Sequence, residues 1–104
     1  MQTLNELYAT ILARKEASAE ASYTAKLLER GSVHIGKKLG EEGVELAIAA
    51  AQNDRKQIVY ESADLLYHLL VLLAAQNIPL AEIEAELARR EGTSGLTEKS
   101  AREG

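Results

Sequence analysis

Apolar residues recur at helical spacing along most of this chain, and the breaks between the runs are marked by residues that cap or stop helices. Leu4, Leu7, Ile11 and Leu12 predict a first helix over about 4–17, with Thr3 and Glu6 as a capping box. The segment Ser22-Tyr23-Thr24-Ala25-Lys26-Leu27-Leu28 runs to Gly31 and reads as a short second helix or a partly ordered loop. Leu39, Val44, Leu46, Ile48 and the Ala49-Ala50-Ala51 run predict a third helix over about 34–51, broken by Gln52-Asn53-Asp54. Asp54 and Gln57 form a second capping-box pattern that opens a long helix to about Gln76. Asn77-Ile78-Pro79 closes it and starts a last helix over about 80–90, stopped by Gly92. Residues 93–104 read as an irregular tail. The expected fold is all-α, one domain over 1–104 with four to five helices, centred on an antiparallel hairpin of 34–51 and 54–76.

The stretch from Leu65 to Leu73 is apolar on nearly every face, so it must be covered on nearly every face. Four or five short helices barely suffice, and a homodimer packing the long helices of two chains together supplies the cover. The alternative is a central helix wrapped within one chain. Composition agrees with helices: 46% of residues are hydrophobic, yet Phe and Trp are absent, leaving Leu, Ile, Val and Ala to fill the core. With no Cys, disulfides and thiolate metal sites are excluded, and any metal must be held by oxygen or imidazole. The start of the chain lacks a signal-peptide pattern, and the apolar stretch from Leu65 to Ala75 falls short of the roughly 20 residues of a membrane span. A cytoplasmic protein without membrane contact is expected. A net charge of −4 argues against general nucleic-acid binding, although a local basic pocket remains compatible with a phosphorylated small molecule.

Two acidic motifs carry the candidate chemistry: Glu41-Glu42-x-x-Glu45 on the third helix and Glu61-x-x-Asp64 on the fourth. Residues three or four apart share a helix face. Glu42 and Asp64 are equidistant from Asn53, as are Glu45 and Glu61. An antiparallel hairpin turning at Asn53 therefore brings four carboxylates together. Such a cluster repels itself, by on the order of a few kcal/mol per close pair at an effective dielectric near 20, and calls for a bound cation. All-oxygen ligands on helices suit Mg²⁺, with Mn²⁺ able to substitute. The ion would neutralise phosphate charge and activate water, with one carboxylate accepting a proton. The competing reading is a solvated acidic face with Lys37 and Lys38 as exposed partners of Glu41 and Glu42. It is weakened because Glu61 and Asp64 directly precede the most apolar stretch of the chain.

A di-iron site of the ferritin type needs Glu-x-x-His, and neither His34 nor His68 has that spacing; both read as packing or hydrogen-bonding residues. There is no glycine-rich phosphate loop. Phosphates therefore fall to basic side chains, of which Lys26, Arg30, Lys37 and Lys38 are nearest in sequence to the acids. Gly40 and Gly43 inside a helix cost about 1 kcal/mol each relative to Ala and permit close approach of a helix or ligand.

At these residues the chain resembles the all-α nucleotide pyrophosphohydrolase superfamily, whose pattern is Glu-Glu-x-x-Glu on one helix and Glu-x-x-Asp on the next. Within it the chain resembles the phosphoribosyl-ATP pyrophosphohydrolases. That narrower likeness rests on Ser22 to Leu28, Lys38-Leu39-Gly40-Glu41-Glu42, Glu61 to His68, and Arg89-Arg90 through Lys99. The resemblance implies cleavage between the α- and β-phosphates of 1-(5-phosphoribosyl)-ATP, the second step of histidine biosynthesis. It makes Glu42, Glu45, Glu61 and Asp64 metal ligands, Glu41 a further ligand or the residue that orients or deprotonates water, and Lys26 and Lys38 contacts for phosphates; Lys37 joins these two on its nearness in sequence to the acids. Gly43 departs from the family's usual Ala or larger residue. Two other readings are a housecleaning nucleoside triphosphate pyrophosphohydrolase and a non-catalytic helical dimerisation module.

Overall fold

The computed structural model describes residues 2–19 and 22–91, and among these the regular structure is helical throughout. The expected tail over 93–104 lies outside the described residues. Helix α1 spans Gln2–Ala13 and passes into a 3-10 turn at Arg14–Glu16; α2 spans Tyr23–Arg30, α3 Ser32–Ala51, α4 Arg55–Ala75 and α5 Leu80–Glu91. The first helix thus begins before Thr3, so Thr3 and Glu6 lie inside it rather than capping it. It also ends four residues early, because Arg14-Lys15-Glu16 tightens into the 3-10 turn.

The expected hairpin is present, and packing of α3 on α4 is the dominant contact of the fold. Its turn follows from three residues. Asn53 adopts a positive φ of 55°, which Asn tolerates better than most residues. The Asn53 N–H then donates to Ala50 O and the Asp54 N–H to Ala49 O, the two bonds of a Schellman motif. Asp54 caps α4 by accepting from the Gln57 N–H at 3.1 Å. The second half of the expected capping box does not form, since the Asp54 N–H is already held by Ala49 and the Gln57 side chain reaches forward instead. Asn77, at φ 59°, ends α4 by the same pair of bonds, from Asn77 to Ala74 and from Ile78 to Leu73.

The core gathers around the C-terminal half of α4: Leu70, Val71, Leu73 and Ala74 pack with Tyr8 and Ile11 of α1, Leu27 of α2 and Ile35 of α3. The Tyr8 hydroxyl donates to Ile78 O, and Lys15 Nζ to Asn77 Oδ1 at 2.7 Å, fastening the first segment to the turn after α4. Helix α4 is long and apolar enough, by length and composition alone, to cross a membrane. Its buried Glu61 and His68 and its packing against three other helices instead make it the central helix of the bundle. The single-chain bundle covers this helix incompletely. Val44 and Ile48 on α3 and Val59, Tyr60 and Leu66 on α4 remain exposed towards the turn end of the hairpin.

Candidate metal and active site

The antiparallel register brings Glu42, Glu45, Glu61 and Asp64 together from two helices. One carboxylate oxygen each from Glu42, Glu45 and Glu61 lies within 4.8 Å of the others, and the same holds for ligand atoms of Glu42, Asp64 and His68. Glu42 belongs to both groups and is the centre of the cluster. Glu41 belongs to neither: it is exposed, with Lys38 Nζ 3.9 Å from its Oε1. Adjacent helical residues point about 100° apart, so only one acid of the doublet can face α4.

Glu61 is 5% exposed. Gln57 Nε2 donates to its Oε1 at 3.0 Å, while its Oε2 is buried without a partner, as is Oε2 of Glu42. A buried unpaired carboxylate oxygen is costly, and two in one cluster mark a place where a positive charge is wanted. Without a cation, Glu42 meets that need by holding a proton and sharing it with its neighbours: burial first, then those hydrogen bonds to Asp64 and Glu61, then the charges of Asp64 and Glu45 push its pKa from 4.5 to about 8. Oxygen-only donors, two of them orphaned, fit a hard divalent cation.

On the Asp64 side, α2 leans over the site. Ser22 caps α2 by accepting from the Ala25 N–H at 3.2 Å, which sets Tyr23 and Thr24 against α4. The Thr24 and Tyr67 hydroxyls share a hydrogen bond, and the Tyr23 ring stacks at 6.4 Å on that of Tyr67. His68, 3% exposed, is packed and hydrogen-bonded as expected. Its Nδ1 is 2.9 Å from the Asp64 carbonyl and its Nε2 3.5 Å from the Tyr23 hydroxyl. With Nδ1 donating to the carbonyl, Nε2 is turned towards the Tyr23 hydroxyl. Asp64 lies four residues before His68 and Glu42 comes from across the hairpin, so a ring nitrogen of His68 also lies within ligand distance of both carboxylates.

Of the three lysines expected to meet phosphates, Lys38 is half-exposed beside Glu41, while Lys26 and Lys37 are exposed on α2 and α3. A cleft of about 360 Å³ opens next to the acids, lined by Glu45, Ile48, Ala49, Gln52, Gln57 and Glu61. A larger one, about 420 Å³, lies around Lys15, Glu29 and Ser32 and includes none of the clustered acids. Gln57 escapes a sequence reading because its capping role hides its second one. The i, i+4 spacing to Glu61 was the available signal.

The sequence model of phosphoribosyl-ATP pyrophosphohydrolase matches residues 4–91 of this chain. The chain belongs to the phosphoribosyl-ATP pyrophosphohydrolase family. It is 55% identical to the phosphoribosyl-ATP pyrophosphatase of Rhodobacter capsulatus over 102 residues, covering 98% of this chain and 99% of that one. It is 59% identical to the enzyme of that name from Parvibaculum lavamentivorans over 99 residues, 95% of this chain and 91% of the relative. For Novosphingobium aromaticivorans the figures are 54% over 101 residues, 97% and 94%. Membership in a phosphoribosyl-ATP pyrophosphohydrolase family sets aside the non-catalytic module and favours the histidine-pathway reading over the housecleaning one.

Proposed function

We infer that this chain hydrolyses 1-(5-phosphoribosyl)-ATP to 1-(5-phosphoribosyl)-AMP and pyrophosphate, the second step of histidine biosynthesis, with Mg²⁺ held by Glu42, Glu45, Glu61 and Asp64. The observation that supports the metal set is the pair of orphaned oxygens on Glu42 and Glu61 inside the carboxylate cluster. When bound, the cation supplies charge neutralisation for the phosphates and a more acidic water. Mn²⁺ is expected to replace it.

The remaining steps fall to the chain's own side chains. Gln57 fixes one oxygen of Glu61 and so directs the other into the cluster. Glu41, exposed beside the cluster, is the residue to which this reading gives the orienting of the attacking water or the taking of its proton. Lys38 beside it, with Lys26, meets the triphosphate's negative charge, and Lys37 is left for a further phosphate of the substrate. As water oxygen bonds to phosphorus, the bridging oxygen between the α- and β-phosphates leaves with pyrophosphate. A homodimer is part of this reading, since the exposed Val44, Ile48, Val59, Tyr60 and Leu66 adjoin the acid-bearing half of the hairpin. We place the protein in the cytoplasm.

The direct test is pyrophosphate release from phosphoribosyl-ATP, ATP and dUTP, each with and without Mg²⁺. Metal-dependent release with clear preference for phosphoribosyl-ATP is expected. Release from ATP or dUTP alone would return the chain to a housecleaning role.

A further inference from the structure

No acid stands between Glu29 and Glu41, whereas Arg30, His34, Lys37 and Lys38 all fall in that interval, in a chain whose net charge is −4. The fold concentrates them further. Helix α2 ends at Arg30 and α3 begins at Ser32, with Gly31 alone at the corner. Gly31 has φ 89° and ψ 176°, a conformation essentially reserved for glycine, and it carries the chain from one helix straight into the next. The last side chain of α2 is thereby set beside the opening turns of α3. On α3, His34, Lys38, Glu41 and Glu45 follow i, i+4, i+7 and i+11 and share a flank, basic at its start and acidic where it reaches the metal cluster.

The crowding is felt at His34, which is half-buried. Burial and the adjacent Arg30, Lys38 and Lys37 hold its pKa below the usual imidazole value, with Glu41 acting in the opposite sense. Positive groups gathered this closely favour a bound anion. At 1.5 Å of rise per residue, His34 lies about 12 Å along α3 from Glu42, comparable with the length of a nucleoside.

Resting on the assignment of phosphoribosyl-ATP as substrate, we propose that Arg30, His34 and Lys37 form a second anion site that holds the terminal 5′-phosphate of the substrate's N1-linked ribose, leaving Lys38 to the triphosphate chain. ATP carries no phosphate at that end, so this site is what separates the two nucleotides. The guanidinium of Arg30 suits the bidentate contact a phosphomonoester offers, and His34 adds a donor from the neighbouring turn.

The test uses the two monophosphates that differ by this group, phosphoribosyl-AMP and AMP, titrated calorimetrically into the Mg²⁺-loaded protein. The wild-type chain is expected to bind phosphoribosyl-AMP at least about tenfold more tightly, the scale of one charge-assisted hydrogen bond. In the Arg30→Ala/His34→Ala double variant that ratio should collapse towards one, and Arg30→Lys/His34→Lys should restore part of it. Arg30 is exposed and His34 half-exposed, so both proteins should fold. A double variant that keeps the wild-type ratio, or that weakens both ligands equally, overturns the proposal. Wild-type protein that hydrolyses phosphoribosyl-ATP yet shows no preference between the two monophosphates overturns the site alone, whereas wild-type protein inactive on phosphoribosyl-ATP overturns the assignment beneath it.

Discussion

Glu42 concentrates the electrostatic problem of the site in one carboxyl group. Its folded pKa, about 8, lies above the 4.5 of an unperturbed glutamate, so between those values the folded state binds a proton that the unfolded state has released. Its contribution to stability is therefore fully present below pH 4.5 and is lost as pH rises through about 8. Metal-free protein should lose melting temperature over that window by scanning calorimetry, and Mg²⁺ should restore most at the alkaline end. Metal affinity should rise over the same range with release of up to one proton, readable from titrations in buffers of different ionisation enthalpy. Glu61→Gln removes a buried anion from the same cluster. Turnover should fall by more than the ten- to hundredfold that loss of an outer partner of a metal ligand typically costs. Metal-free thermal stability should hold or rise; a variant with wild-type turnover would remove Glu61 from the site. At this scale the sequence reading reached the four converging acids through their symmetry about Asn53. It left open whether Glu41 joins them as a further ligand, because the phase of α3 relative to α4 is set by packing at Ile35 and Ala49, not by the doublet itself.

Among the helices, the hairpin and its turn were legible because capping leaves local marks: Asn53 and Asp54 carry the stop and the start within two residues. The start of α1 was not, since the Thr3-x-x-Glu6 pattern also occurs inside helices, and propensity alone does not fix the first turn. The corner at Gly31 was visible only as a helix stop. Its backbone angles show that the residue also begins α3, and Gly31→Ala should cost about 1–3 kcal/mol by urea unfolding for placing a side chain in that conformation. Space is not the obstacle there, as nothing lies within 4 Å of where the added Cβ would stand. An unchanged midpoint would mean that the corner relaxes to another conformation without loss.

For the molecule as a whole, the apolar stretch on α4 was correctly read as needing cover, and α1 and α2 supply part of it through Tyr8, Ile11 and Leu27. Within that stretch Leu66 stays 40% exposed, and outside it, on the turn half of the hairpin, Val59 and Tyr60 are each 64% exposed and Val44 61%. Exposed apolar side chains grouped in this way mark an interaction surface. Val59→Asp should shift sedimentation from dimer to monomer with the helical signal retained. A wild-type chain that sediments as a monomer at micromolar concentration would remove the dimer from the proposed function. A homodimer was legible in the sequence only as a need for cover, because one chain's sequence shows which stretch is apolar but not what packs on it.

The core packs around one half of α4 and the acids gather on the other, and this division bears on how such a protein can change over generations. Substitutions near the turn alter charge, cleft shape and ligand preference while leaving Leu70, Val71, Leu73 and Ala74 packed as before. A lineage carrying this architecture can explore new nucleotides at one end of a hairpin whose other end keeps the chain folded.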